Sequence, residues 1–271
     1  MKMIVTGKGG VGKTTIAAAL AHAFARRGFS VLALDTDSIP NLAQSLGVPF
    51  EEAYSIVPLS KNEDLVEERT GARPGEGWGV LFSLTPKVDD LIDKYGVRVS
   101  DKISLVVVGS IDASKEGCLC PAIALAKAFL RHALLEKGRV VIVDSEAGTE
   151  VFGRGLAEKF DLMLCVAEPT AKSMLVSLRM VEMASELDIE RSIVVINKVK
   201  DYEKAVRVFS RVFDERDVTF HVIRFEPYLT DIERNGWGVD KLPPDGVLLS
   251  DVDNLCHRIC NMYKLKVRLD V

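Results

Sequence analysis

Lys2-Met3-Ile4-Val5-Thr6-Gly7-Lys8-Gly9-Gly10-Val11-Gly12-Lys13-Thr14-Thr15 opens the chain. Residues 2–6 read as a short buried strand, the glycines that follow as a turn, and the alanine-rich, glycine-free run from Ile16 to Arg27 as a helix. A strand, a glycine turn and a helix in that order make a cradle for phosphate. The glycines let consecutive backbone N–H groups turn inward, and the helix N-terminus adds partial positive charge. The cradle is expected from Gly9, Gly10, Val11, Gly12, Lys13, Thr14 and Thr15. Lys13 can reach the β- and γ-phosphates of ATP, and the Thr14 hydroxyl can hold Mg²⁺. A lone GxGxxG would say little; here the flanking elements that the motif needs are both present.

Outward from this loop the chain keeps a βα rhythm. Ser30 to Leu34 reads as a second buried strand ending in Asp35-Thr36-Asp37, whose carboxylates would face the phosphates, with Asp35 supporting the Mg²⁺ shell. Asn41 to Leu46 reads as a short helix stopped by Gly47 and Pro49. Residues 51–100 form an irregular excursion, helical over Leu59–Arg69 and Lys87–Tyr95 around the glycine-rich loop Thr70–Gly79. Strands are then expected at Ile103–Val108, Val140–Val143, Leu162–Ala167, Ile193–Ile196 and Phe220–Ile223, and helices at 121–136, 171–186 and 202–213. Apolar strands alternating with helices predict an α/β fold: one domain over 1–271 with a mainly parallel sheet covered on both faces. Ligands in such folds sit at the carboxyl ends of the strands. Arg139-Val140-Val141-Ile142-Val143-Asp144 has the Walker B form, an apolar strand ending in a carboxylate, so Asp144 would hold a water on the metal.

Composition bounds the partners. In 271 residues, 48% are hydrophobic and 27% charged, as in an ordinary globular protein. A formal net charge of −4 gives no reason to expect a nucleic-acid groove. No apolar run approaches the length of a bilayer span, and because the first residues enter a strand directly, no leader is expected. Five cysteines, two of them as Cys-x-Cys, point to a cytoplasmic chain with free thiols and not to a disulfide framework.

That pair is the second chemical feature. In Gly117-Cys118-Leu119-Cys120-Pro121 the proline suits the first position of a helix, which puts Cys120 beside the N-cap, where the dipole favours the metal-binding thiolate. Cys118 and Cys120 supply two sulfurs, too few to close a site alone. A two-fold homodimer would bring four together, suited to Zn²⁺, an iron–sulfur cluster, or Ni²⁺ in a flattened site. Cys165, inside an apolar strand, and Cys256 with Cys260, one helical turn apart, read as packing residues. Residues 247–262 read as a helix docked on the sheet, with no membrane binding expected.

Lys8, a second lysine inside the loop, resembles the deviant Walker A ATPases, the group of MinD, ParA and nitrogenase reductase. The resemblance implies that Lys8 crosses a dimer interface to the partner's nucleotide. It also implies that Asp37 orients or deprotonates the attacking water, and that Asn197 reads adenine opposite Phe225-Glu226-Pro227-Tyr228. Asp144-Ser145-Glu146-Ala147-Gly148 resembles that group's second switch: the Gly148 N–H would approach the γ-phosphate, and helix 150–158 would carry the movement onward. A narrower resemblance rests on Glu116-Gly117-Cys118-Leu119-Cys120-Pro121 ahead of a helix containing Leu130-Arg131-His132, together with Asp144-Ser145-Glu146-Ala147-Gly148. These are similar to the CooC family, nickel-insertion ATPases that mature carbon monoxide dehydrogenase. The likeness extends through Glu67–Ala72, Thr85–Asp90 and Ala167–Thr170. It implies an ATP-driven dimer that binds nickel or zinc through paired Cys-x-Cys motifs and serves a carbon monoxide dehydrogenase or acetyl-CoA synthase. The chain departs from that family at Asp37-Ser38-Ile39, where Asp-Pro-Asn is usual, and at Pro227-Tyr228-Leu229, where Pro-Tyr-Asp is usual. Two other classes remain open: a MinD- or ParA-like positioning switch, and an iron–sulfur carrier.

Overall fold

The computed structural model describes residues 1–75, 81–110, 120–145, 154–214 and 216–266. Its strands are β1 (Lys2–Gly7), β2 (Val31–Asp35), β3 (Val97–Arg98), β4 (Ile103–Val107), β5 (Val140–Asp144), β6 (Leu162–Ala167), β7 (Arg191–Val199) and β8 (Thr219–Arg224). The helices are α1 (Lys13–Arg26), α2 (Leu42–Ser45), α3 (Phe50–Ser55), α4 (Glu63–Thr70), α5 (Leu91–Tyr95) and α6 (Cys120–Leu135). They continue as α7 (Arg154–Ala157), α8 (Ala171–Glu186), α9 (Tyr202–Phe213), α10 (Leu229–Arg234) and α11 (Val247–Met262).

The strands form one sheet in the order β3-β4-β2-β5-β1-β6-β7-β8. Every pairing is parallel except that of the two-residue edge strand β3. Strands with helices on both faces must be apolar throughout, and β2 (VLALD) and β6 (LMLCVA) are buried at every residue. From β1 the chain leaves through α1 toward β2 on one side, while β6 lies on the other. The carboxyl end of β1 is therefore the point where the strand order reverses and a crevice opens.

Small residues explain the placing of α1. Ala17, Ala18, Ala19, Ala21 and Ala23 let it sit flat between the sheet and α11, so that Ile16 to Leu20 and Phe24 are fully enclosed. The opposite face is covered by α6 together with Leu65 and Val66 of α4 and Leu91 and Ile92 of α5. The excursion at 51–100 thus contributes apolar cover to the main core.

Boundaries differ from expectation where side chains intervene. The helical stretch expected over Leu59–Arg69 breaks into a 3₁₀ turn, Leu59–Lys61, and α4, because the Asn62 side chain accepts from the Leu65 N–H and starts a new helix there. Only Leu91–Tyr95 of the second expected stretch is helical. Strand β7 runs from Arg191 to Val199, longer than its apolar centre suggested. The expected helix 150–158 is described only as α7. The helices α3 and α10 and the strand β3 were not anticipated.

Candidate functional site

The phosphate loop takes its shape from its glycines. Gly7 ends β1 at φ +147°, where a Cβ would run into the Val166 carbonyl of β6. Gly12 caps α1 at φ +96°, and a Cβ there would lie 2.5 Å from Nδ2 of Asn197. Both positions need a residue without a side chain. A cleft of about 720 Å³ opens over the loop, bounded by Gly9 to Thr15, by α2, by the end of β7 and by α10.

The ends of β2 and β5 bring two carboxylates together beneath the loop. Asp144 lies in register between Val5 of β1 and Asp35 of β2. Asp35 is 0% exposed and Asp144 2%. Their environments differ. Oδ1 of Asp35 accepts from the Asp37 N–H (3.0 Å), and Oδ2 accepts from the N–H groups of Asn41 (3.0 Å) and Leu42 (2.9 Å). Asp35 therefore ties down the loop that leads into α2. Asp144 is hydrogen-bonded to the Thr14 side chain and feels the Lys13 ammonium, yet its buried Oδ1 has no partner among the described residues. Burial raises both carboxyls above the ordinary range, with the Asp37 charge adding to the rise at Asp35 and the Asp35 charge to that at Asp144. Three N–H groups favour the ionised form of Asp35, whereas Thr14 and Lys13 favour that of Asp144.

An orphaned carboxylate oxygen beside a threonine hydroxyl is the donor set a hard divalent cation takes. Mg²⁺ therefore fits between Thr14 and Asp144. Asp35, committed to backbone N–H groups, sits behind this pair.

Asp37 stands half-buried at the cleft wall, its Oδ1 accepting from the Ile39 N–H (2.9 Å). Lys13, Thr14 and Thr15 line the same cleft. Lys8 is exposed at the lip and makes no hydrogen bond or ion pair with a described residue. Asn197 is 4% exposed, with Nδ2 donating to the Val11 carbonyl (2.8 Å). Its Oδ1 and the second Nδ2 hydrogen are left for a ligand. Pro227 is exposed, and the cleft in that quarter is lined by Leu229, Glu233 and Trp237 instead. Buried Glu226 turns away from the cleft and accepts from the Leu248 N–H at the head of α11.

Cys118 and Gly148 lie outside the described residues, as does most of the second-switch segment. Cys120 is the first residue of α6, one position before the start expected at Pro121. Among the described residues no three His, Cys, Asp or Glu side chains cluster as a metal site. Cys165 is fully buried and its thiol is pushed up to about 12 by desolvation, the behaviour of a packing residue. Cys256 is likewise buried and pushed up to about 12.

Two contacts escaped the sequence. Thr36 donates through both N–H (3.0 Å) and Oγ1 (2.9 Å) to the Asp144 carbonyl, pinning the loop after β2 to the end of β5. Lys198 donates through Nζ to the Gly10 carbonyl (2.6 Å) and to Oε1 of Glu168 (2.8 Å). Glu168 lies thirty residues away in sequence, so only pairing of β6 with β7 brings it there.

Comparison with known proteins bears on this geometry. Residues 2–236 match the model of the CobQ/CobB/MinD/ParA nucleotide binding domain. The chain is 46% identical over 228 residues to an ATP-binding protein of Methanocaldococcus jannaschii, MJ0823, covering 84% of this chain and 85% of that one. It is 41% identical over 199 residues to the carbon monoxide dehydrogenase accessory protein CooC of Rhodospirillum rubrum, covering 73% and 74%. Among solved structures, the cell division ATPase MinD of Pyrococcus furiosus superposes with a TM-score of 0.67 at 18% identity, over 96% of this chain and 98% of that one. No helix among the described residues is long and apolar enough to cross a membrane.

Proposed function

This chain belongs to the CobQ/CobB/MinD/ParA nucleotide-binding family and is an ATPase, and from that premise we propose that it is a dimeric metallochaperone. In this reading residues 1–271 act as one ATPase unit. Hydrolysis is coupled to delivery of nickel, the cargo, into a carbon monoxide dehydrogenase or acetyl-CoA synthase. The carrying observation is a Cys-x-Cys pair, Cys118 and Cys120, in the sequence of a chain 41% identical to a carbon monoxide dehydrogenase accessory protein. The reading implies a cytoplasmic protein whose thiols stay reduced.

The residues take the following parts. The N–H groups of residues 9–15 and the Lys13 ammonium bind the β- and γ-phosphates. Thr14 and, through water, Asp144 hold Mg²⁺, which when bound neutralises charge between those phosphates. Asp37 uses the oxygen not given to Ile39 to orient the attacking water. Lys8 reaches the nucleotide of a second copy and supplies cationic charge only when two copies meet. Asn197 Oδ1, an acceptor, suits the amino group of adenine, and the Nδ2 hydrogen not given to Val11 suits a ring nitrogen beside it. Gly148 closes on the γ-phosphate and loosens after hydrolysis. Cys118 and Cys120 of two copies enclose one Ni²⁺ or Zn²⁺.

Anaerobic equilibrium dialysis with Ni²⁺ tests the cargo. The expected result is about one ion per two chains, lost in Cys118→Ser and in Cys120→Ser. Binding retained in the double serine variant would overturn the metal site and leave a nucleotide switch of the MinD or ParA kind.

A further inference from the structure

Two consecutive residues of one strand normally point to opposite faces of the sheet. Asn197 and Lys198 do not obey this. Between Ile196 and Val199 strand β7 advances three residues while β8 advances two, from Val222 to Arg224, so β7 carries one extra residue at that point. Lys198 absorbs the mismatch at φ +60°, a left-handed conformation unusual for a lysine. The outcome is that both side chains reach one target: Asn197 Nδ2 takes the Val11 carbonyl and Lys198 Nζ takes the Gly10 carbonyl.

These carbonyls belong to the peptide units that carry the Val11 and Gly12 N–H groups. In a trans peptide the C=O and the following N–H point in opposite directions. Holding the carbonyls of Gly10 and Val11 toward β7 therefore fixes the next two N–H groups, which point away from β7. Glu168 Oε1, 2.8 Å from Nζ, holds the ammonium against the loop and away from the phosphates. Glu168 is itself fixed: its N–H donates to Ser173 Oγ at the start of α8.

We propose that the β7 bulge and Glu168 form a clamp that presets the phosphate loop, with Lys198 a positioning residue for nucleotide binding and not a cation of the transfer step. The proposal rests on the ATPase reading and is independent of the metal cargo. Unlike Lys8 and Lys13, Lys198 acts through the backbone of the loop. It improves binding of the phosphates equally before and during transfer, so its loss falls on affinity.

The test is titration calorimetry of the full chain with Mg·ADP and a non-hydrolysable ATP analogue, joined to steady-state hydrolysis. Lys198→Met should weaken both nucleotides about ten-fold, the loss of one charge-assisted hydrogen bond. KM should rise in step with kcat unchanged, and Lys198→Arg should recover most of the affinity. Glu168→Gln should lose about three-fold, and adding it to Lys198→Met should lose nothing more, since the two act as one unit. Unchanged affinity in Lys198→Met, or in Glu168→Gln should the first variant fail to fold, would overturn the clamp. A fall in kcat at constant KM would also overturn it, by making Lys198 a catalytic cation. A wild-type chain that binds no nucleotide would instead sink the ATPase reading itself.

Discussion

At the scale of single residues, the proton between Asp35 and Asp144 makes stability depend on pH. Both carboxyls titrate above the ordinary range, so between about pH 4 and neutrality the folded chain binds more protons than the unfolded one. Stability of the nucleotide-free protein is therefore greatest near pH 4 with respect to this pair and falls as pH rises through the raised values. Asp90, Asp201 and Asp253, held low by arginine, lysine or backbone partners, act in a lower window, below the ordinary carboxylate range. Asp144→Asn, which keeps the shape and removes the titration, should flatten the slope from pH 4.5 toward 7.5 (about these limits). Urea midpoints across that interval are the measurement, and an unchanged slope would place the proton elsewhere. The place of Asp144 at the end of a buried strand was legible in the sequence because four apolar residues precede it. The commitment of Asp35 was not, since its partners Asn41 and Leu42 stand six and seven residues further on.

At the scale of elements, α2 shows how a carboxylate can hold a helix too short to hold itself. Four residues cannot repay the nucleation of a helix in isolation. Asp35 supplies what is lacking by accepting from two N–H groups at its start and a third on the approach to it. Asp35→Ala should leave those N–H groups without partners and cost about 2–4 kcal/mol, read as a lowered denaturation midpoint. A change under about 0.5 kcal/mol would mean that the loop finds water in place of the carboxylate. The docking of α11 uses similar means: Arg224 on β8 forks onto Asp251, and Glu226 accepts at the helix's first turn. Long periodic elements such as α8 and α9 were readable to the residue, because their apolar spacing and their caps Thr170 and Asp201 agree. α3 and α10 were not, because six residues carry too little periodicity to distinguish helix from turn.

At the scale of the whole molecule, the nucleotide cleft has an open lip. Lys8 stands at that lip without a partner among the described residues, while Lys13 faces the acidic floor. If Lys8 serves a neighbour's nucleotide, Lys8→Ala should leave ATP affinity within about two-fold yet lower turnover by about a thousand-fold or more, the range for a cation supplied in trans. Sedimentation should show the variant failing to dimerise with Mg·ATP. Normal turnover would remove Lys8 from the active centre. What the sequence determined alone was everything carried by short-range order: the phosphate loop, whose strand, glycines and helix are contiguous; the strand-terminal carboxylates; and the parallel α/β architecture, encoded in apolar runs alternating with helical spacing. Tertiary structure alone decided which carboxylate keeps an open oxygen, which carbonyls of the loop are held, and that Glu168 and Lys198 meet beneath it. Those facts depend on register between strands distant in the chain, and a one-residue bulge in β7 is enough to redirect two side chains without leaving a mark in the order of the amino acids.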